Sequence, residues 1–131
     1  MHITADGKSL YYHSSRTGGK GGLDIWVTRF ENGEWQEPLN VAEVNTRENE
    51  GWPYVTPDEG ELWFTRTYQG SPAIFRAKMV DGGWGRPELI LSSFAAEPTL
   101  DAQGNLYFAH HYFRNDRMVE ADIYLARRRI Y

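Results

Sequence analysis

The sequence predicts an all-β chain, and three observations carry that prediction. Aromatic residues make up 15% of the 131 residues, with five Trp and eight Tyr, and such side chains favour half-buried strands. Thirteen Gly and six Pro punctuate the chain, as they do where short strands are joined by turns. The third observation is recurrence. Ile25-Trp26, Ile74-Phe75 and Ile123-Tyr124 fall at equal intervals of 49 residues, as do Trp35 and Trp84, each followed three residues on by a proline, Pro38 and Pro87.

A second recurring stretch fixes the start of each copy. "ADGKSLYY", "PDEGELWF" and "DAQGNLYF" each place a glycine turn before a Leu and two aromatics, at Leu10, Leu62 and Leu106. Loop insertions account for their unequal spacing. The middle copy is complete. Its first strand covers 51–56, a turn at Pro57-Asp58-Glu59-Gly60 leads to a second at 62–66, and "TYQGSP" leads to a third at 73–79. Asp81-Gly82 is a hairpin signal, Trp84 follows it, and a fourth strand covers 88–91. Asn32-Gly33 does the same hairpin work in the first copy.

The second strands are apolar on both faces, as "LWF" and "LYF" show, which fits a sheet covered from both sides. Small antiparallel sheets covered on both faces and recurring every roughly 40–50 residues describe a β-propeller. The expected units are 1–43, 44–92 and 93–131, with about eleven strands in three sheets of four, four and three. The first unit begins without the front of its first strand and the third stops before its fourth. The chain therefore reads as part of a longer protein, or as a protomer whose ring a second copy completes.

The stretch "SSRTGGKGGLDIW" looks at first like a phosphate cradle. Such a cradle needs a helix N-terminus behind it, and here a strand follows. The other copies carry "YQGSP" and "YFRNDRMVEA" at that place, so the glycines read as a mobile hairpin loop, with Asp24 capping the strand after it. Asp122 of "ADIY" holds the matching place.

Bulk properties exclude several function classes. The formal net charge of −4 disfavours a general nucleic-acid or anionic-membrane surface, and the short basic tail "ARRRIY" does not overturn it. With no cysteine, disulfides and thiolate chemistry are ruled out. No apolar run approaches the roughly 18 residues of a membrane span.

At this point the residues resemble a known repeat. "TADGKSLYYHSSRTGGKGGLDIW", "PYVTPDEGELWFT" and "DIYLARR" resemble the WD40-like propeller repeat of TolB-type proteins. The resemblance covers essentially the whole chain and is specific for fold and poor for function. It implies a bacterial periplasmic or extracellular setting and a binding or scaffold role. Propeller domains of serine peptidases share the repeat, but no Gly-X-Ser-X-Gly of a hydrolase is present.

In a propeller sheet, the start of the first strand and the end of the second lie at one end, around the central channel. Glu50, Trp52 and Glu97 open first strands there, and Arg66 and His110 end second strands at matching places. His13 and Arg16 come from the first unit. These define the expected ligand-binding face, for a protein, peptide or glycan. Two roles stand open for each group: Trp52 is a wedge between sheets or a ligand platform, and Glu50 and Glu97 pair with Arg66 or cap backbone N–H groups. His110 and His111 point to opposite faces, so no metal site is expected, and neither a cofactor nor a catalytic residue. The competing reading is a fragment of a propeller glycoside hydrolase, with Glu50 and Glu97 as channel-mouth carboxylates. Against it, the two glutamates take equivalent places in the repeat, which explains them without catalysis. The outer faces of the end sheets, expected to expose Leu10-Tyr11-Tyr12 and Leu106-Tyr107-Phe108, point to a homo-oligomer.

Overall fold

The computed structural model describes residues 1–129. These residues form thirteen antiparallel strands in three sheets, with no helix among them. Sheet 1 holds β1 (His2–Ile3), β2 (Ser9–Ser14), β3 (Asp24–Glu31), β4 (Glu34–Trp35) and β5 (Leu39–Asn40). Sheet 2 holds β6 (Glu50–Val55), β7 (Glu61–Tyr68), β8 (Ser71–Val80), β9 (Gly83–Trp84) and β10 (Glu88–Leu91). Sheet 3 holds β11 (Ala95–Leu100), β12 (Leu106–Arg114) and β13 (Arg117–Ala126). The two strands beyond the expected eleven are β4 and β9, where Trp35 and Trp84 pair back onto β3 and β8. The last two residues of the third expected unit, Ile130 and Tyr131, lie outside the described residues.

Local chemistry explains the turns. Asn32-Gly33 and Asp81-Gly82 all have positive φ, as a type I′ hairpin requires. In sheet 1 Thr4 donates its hydroxyl to Asp6 at 2.7 Å and accepts the Ser9 N–H at 3.0 Å. In sheet 2 Thr56 does the same with Asp58 at 2.6 Å and Glu61 at 3.0 Å. In sheet 3 Asp101 alone accepts the N–H groups of Gln103 and Asn105. The stretch "YFRNDRMVEA" departs from the expected loop. It is a tight hairpin, because β12 and β13 stay paired out to Arg114 and Arg117 across Asn115-Asp116.

The glycine loop also departs from expectation. A Cβ on Gly21 would lie 2.1 Å from the Glu48 carbonyl oxygen, and one on Gly22 would lie 2.4 Å from Asn49 Oδ1. The glycines let this loop press against the 46–49 segment, so close approach explains them better than mobility. Asp24 clamps the same loop, accepting the N–H groups of Lys20 at 2.6 Å and Gly21 at 2.9 Å.

Sheet 2 is covered on both faces. Leu62, Phe64, Phe75 and Ala77 pack against Tyr11, Ile25 and Val27 of sheet 1. Trp63 and Ile74 pack the other way, against Ala95, Leu106 and Phe108 of sheet 3. Alternation along each strand sends neighbouring side chains to opposite faces, so one strand serves two cores. Tyr11, Leu106 and Phe108 are thus buried against sheet 2, and the outward strips expected there are narrower. The exposed aliphatic side chains of sheet 3 lie instead on β13, at Met118, Val119, Ile123 and Leu125, with Phe113 exposed near the end of β12.

Candidate functional site

The β6 and β11 starts and the β2, β7 and β12 ends lie at one end of the sheets, fixed by the register Glu50 opposite Arg66 and Ala95 opposite His110. Glu50 is fully buried. Its carboxylate accepts the Arg66 Nε–H at 2.8 Å, the Thr46 hydroxyl at 2.5 Å and the Thr46 N–H at 3.1 Å. Arg66 also donates to the Val44 carbonyl at 2.6 Å and lays its guanidinium 4.5 Å from the Phe75 ring centroid. A buried charge is tolerated only when paired and hydrogen-bonded like this. Glu50 and Arg66 form a structural joint between β6, β7 and the 44–46 segment.

Trp52 is held differently. It sits at a bulge between Gly51 and Tyr54 with φ 49°, directly before Pro53. A residue before proline prefers extended backbone, so this left-handed conformation is strained. Its N–H donates to His13 Nδ1 at 3.0 Å, and the two rings lie 4.9 Å apart. The indole is 42% exposed.

Glu97 repeats the device one sheet later. It lies at a bulge between Ala96 and Thr99 with φ 59°, directly before Pro98, and its N–H donates to Thr65 Oγ1 at 2.9 Å. Glu97 therefore matches Trp52 in place, whereas Glu50 matches Ala95. The expectation that the two glutamates take equivalent places is corrected by this register. The paired dipeptides Trp52-Pro53 and Glu97-Pro98 were the signal that could have aligned them.

No known protein-family model matches the chain, and no curated protein matches it either.

Trp52 and Glu97 share a groove of about 190 Å³ with His2, Pro53, Tyr54 and Pro98. Trp52 also walls a second groove, of about 250 Å³, with Leu23, Thr65, Pro72 and His111. His110 lines neither. Its ring lies 4.6 Å from Tyr112 and 5.4 Å from Tyr124, with Nδ1 buried and unbonded. The Tyr112 and Tyr124 hydroxyls meet each other, and that contact raises the Tyr112 pKa. Arg16 stands over Trp26 on the outer face of sheet 1, 5.0 Å from the ring centroid. Of the expected site residues, the structure brings together Glu50 with Arg66, and Trp52 with Glu97 and His13.

A larger groove, of about 770 Å³, runs between sheets 2 and 3 beside the turns at Pro57–Gly60 and Asp101–Gly104. Arg76 lines it, bridging Glu61 at 3.3 Å and Glu88 at 2.8 Å, and Trp63 donates its indole N–H to Glu61 at 2.8 Å. Sequence reasoning missed this network. Its signal was present, since the hairpin spacing sets Arg76 opposite both Trp63 and Glu88. Among the described residues, no three His, Asp or Glu side chains gather where they could hold a metal ion, and no helix is long and apolar enough to cross a membrane.

Proposed function

We propose that this chain is a non-enzymatic binding or scaffold module of the TolB-like propeller type, acting on a protein, peptide or glycan in a bacterial envelope or extracellular setting. The observation that carries the reading is Trp52. A strained backbone and a hydrogen bond from the Trp52 N–H to His13 hold an exposed indole between two grooves. An indole offers a broad apolar face that loses little freedom on binding, which suits stacking on a sugar ring or a peptide side chain.

The glycoside-hydrolase alternative is weaker. It needs two carboxylates flanking the scissile bond. Glu50 is consumed by Arg66 and Thr46, which leaves Glu97 alone of the expected pair. The exposed face of β13 supports an extension of the proposal, in which a second copy covers sheet 3 and completes a ring.

The test is a titration with a panel of oligosaccharides and short peptides, followed by NMR at the Trp52 indole N–H. Saturable shifts there, lost in Trp52→Ala, are expected. Shifts confined to the groove beside Arg76 overturn the placement of the site. Glycan cleavage abolished by Glu97→Gln overturns the non-enzymatic reading.

A further inference from the structure

We propose that His13 is a pH-sensitive latch on the Trp52 bulge: neutral, it accepts the Trp52 N–H, and protonated, it releases it. A backbone N–H can only donate, so the 3.0 Å contact makes His13 Nδ1 an acceptor and puts the ring proton on Nε2. Protonating Nδ1 sets one donor against another. The bond lost is one that holds a strained residue, so the bulge has reason to relax once it is gone.

The molecule carries its own control. Thr65 occupies in sheet 2 the place of His13 in sheet 1, three residues after the strand leucine. It holds the matching Glu97 N–H at 2.9 Å through a hydroxyl that does not titrate in this range. One bulge is therefore sensitive to acid and its counterpart is not.

The surroundings favour the neutral ring. Burial lowers the His13 pKa below its ordinary 6.5. Ionisable groups sit on each element packed against β2. β1 contributes His2, whose pKa is also lowered by burial. β3 contributes Asp24, bonded by Lys20, Gly21 and Asn40, with Arg29 and Glu31 at its far end. β6 contributes Glu50, paired with Arg66. A group whose folded pKa is lowered supports the fold above the unfolded value and loses that support as pH falls through the folded one. The latch is therefore closed above about pH 6.5 and opens below it.

The proposal makes Trp52 presentation pH-dependent and so rests on the binding role given above, but its test needs no ligand. Amide protection and chemical shift at Trp52 and Glu97 are followed by NMR from pH 8 to 5, together with the His13 ring carbons. Trp52 protection should fall about tenfold, the scale of one lost hydrogen bond, with the His13 midpoint and below 6.5, while Glu97 stays constant. His13→Thr, copying the Thr65 device, and His13→Asn, which keeps an acceptor, should flatten the Trp52 profile. His2→Gln should leave its midpoint unchanged. A Trp52 amide indifferent to His13 protonation, or a Glu97 amide that moves equally, overturns the latch. If the latch titrates and the ligand panel fails, the binding reading falls and the latch stands.

Discussion

Ile74 in sheet 2 and Ile123 in sheet 3 follow the same sequence pattern and sit on matching third strands. Ile74 is wholly buried and Ile123 is 82% exposed. Trp84 and Trp35 repeat the contrast, at 9% and 44%. The strand chemistry is the same in each pair, so burial is decided by whether another sheet lies across from it. Sheet 2 has a neighbour on each face, and Ile123 points away from the one neighbour sheet 3 has among the described residues.

The largest test of that comparison is at Trp84. Trp84→Ala should cost about 3–5 kcal/mol by urea denaturation, and Trp35→Ala no more than about 1 kcal/mol. Equal losses would mean that the two indoles share an environment after all. Next comes the isoleucine pair. Ile74→Ala should cost about 2–5 kcal/mol, and Ile123→Ala about 0.5 kcal/mol in a monomer. Sedimentation sharpens this one. If a second copy covers β13, the wild-type chain associates at micromolar concentration, Ile123→Lys stays monomeric, and the small cost of Ile123→Ala grows with protein concentration.

The smallest effect concerns acid. Asp6, Asp58 and Asp101 all have lowered pKa values, the first two mainly from Thr4 and Thr56 hydroxyls and the third from the Asn105 side chain. Their support for the fold is present above the ordinary 3.8 and is lost as pH falls below it. Urea midpoints followed from pH 5 to 2 should decline in the wild type and decline less in the triple Asp→Asn variant.

Much of the fold was legible because it is local. The fourth strand at 88–91, the hairpins at Asn32-Gly33 and Asp81-Gly82, and the glycine turns need only nearby residues, and all appear as read. The recurrence of Trp35 and Trp84 predicts that both are largely buried, and this fails for Trp35, because burial depends on what lies across from the sheet. The site was read in part. Arg66 and His110 fell at matching places through simple spacing. Glu50 was matched to the wrong partner because residue type was followed instead of register, which sets Glu50 with Ala95 and Trp52 with Glu97. The Gly21 contact with Glu48 joins two loops distant in sequence, and no local signal marks it.

Each sheet is drawn from one unbroken stretch of chain, so its ladders close over short connections. The docking of one sheet on the next joins more distant residues. That has a consequence for synthesis, which proceeds from the N-terminus at about 5–20 residues per second. Sheet 1 is finished in the nascent chain before Leu62, Phe64 and Phe75 exist to cover Tyr11, Ile25 and Val27. For some seconds the ribosome holds out a sticky half-core, and a slow codon run between Asn40 and Glu50 would lengthen that interval.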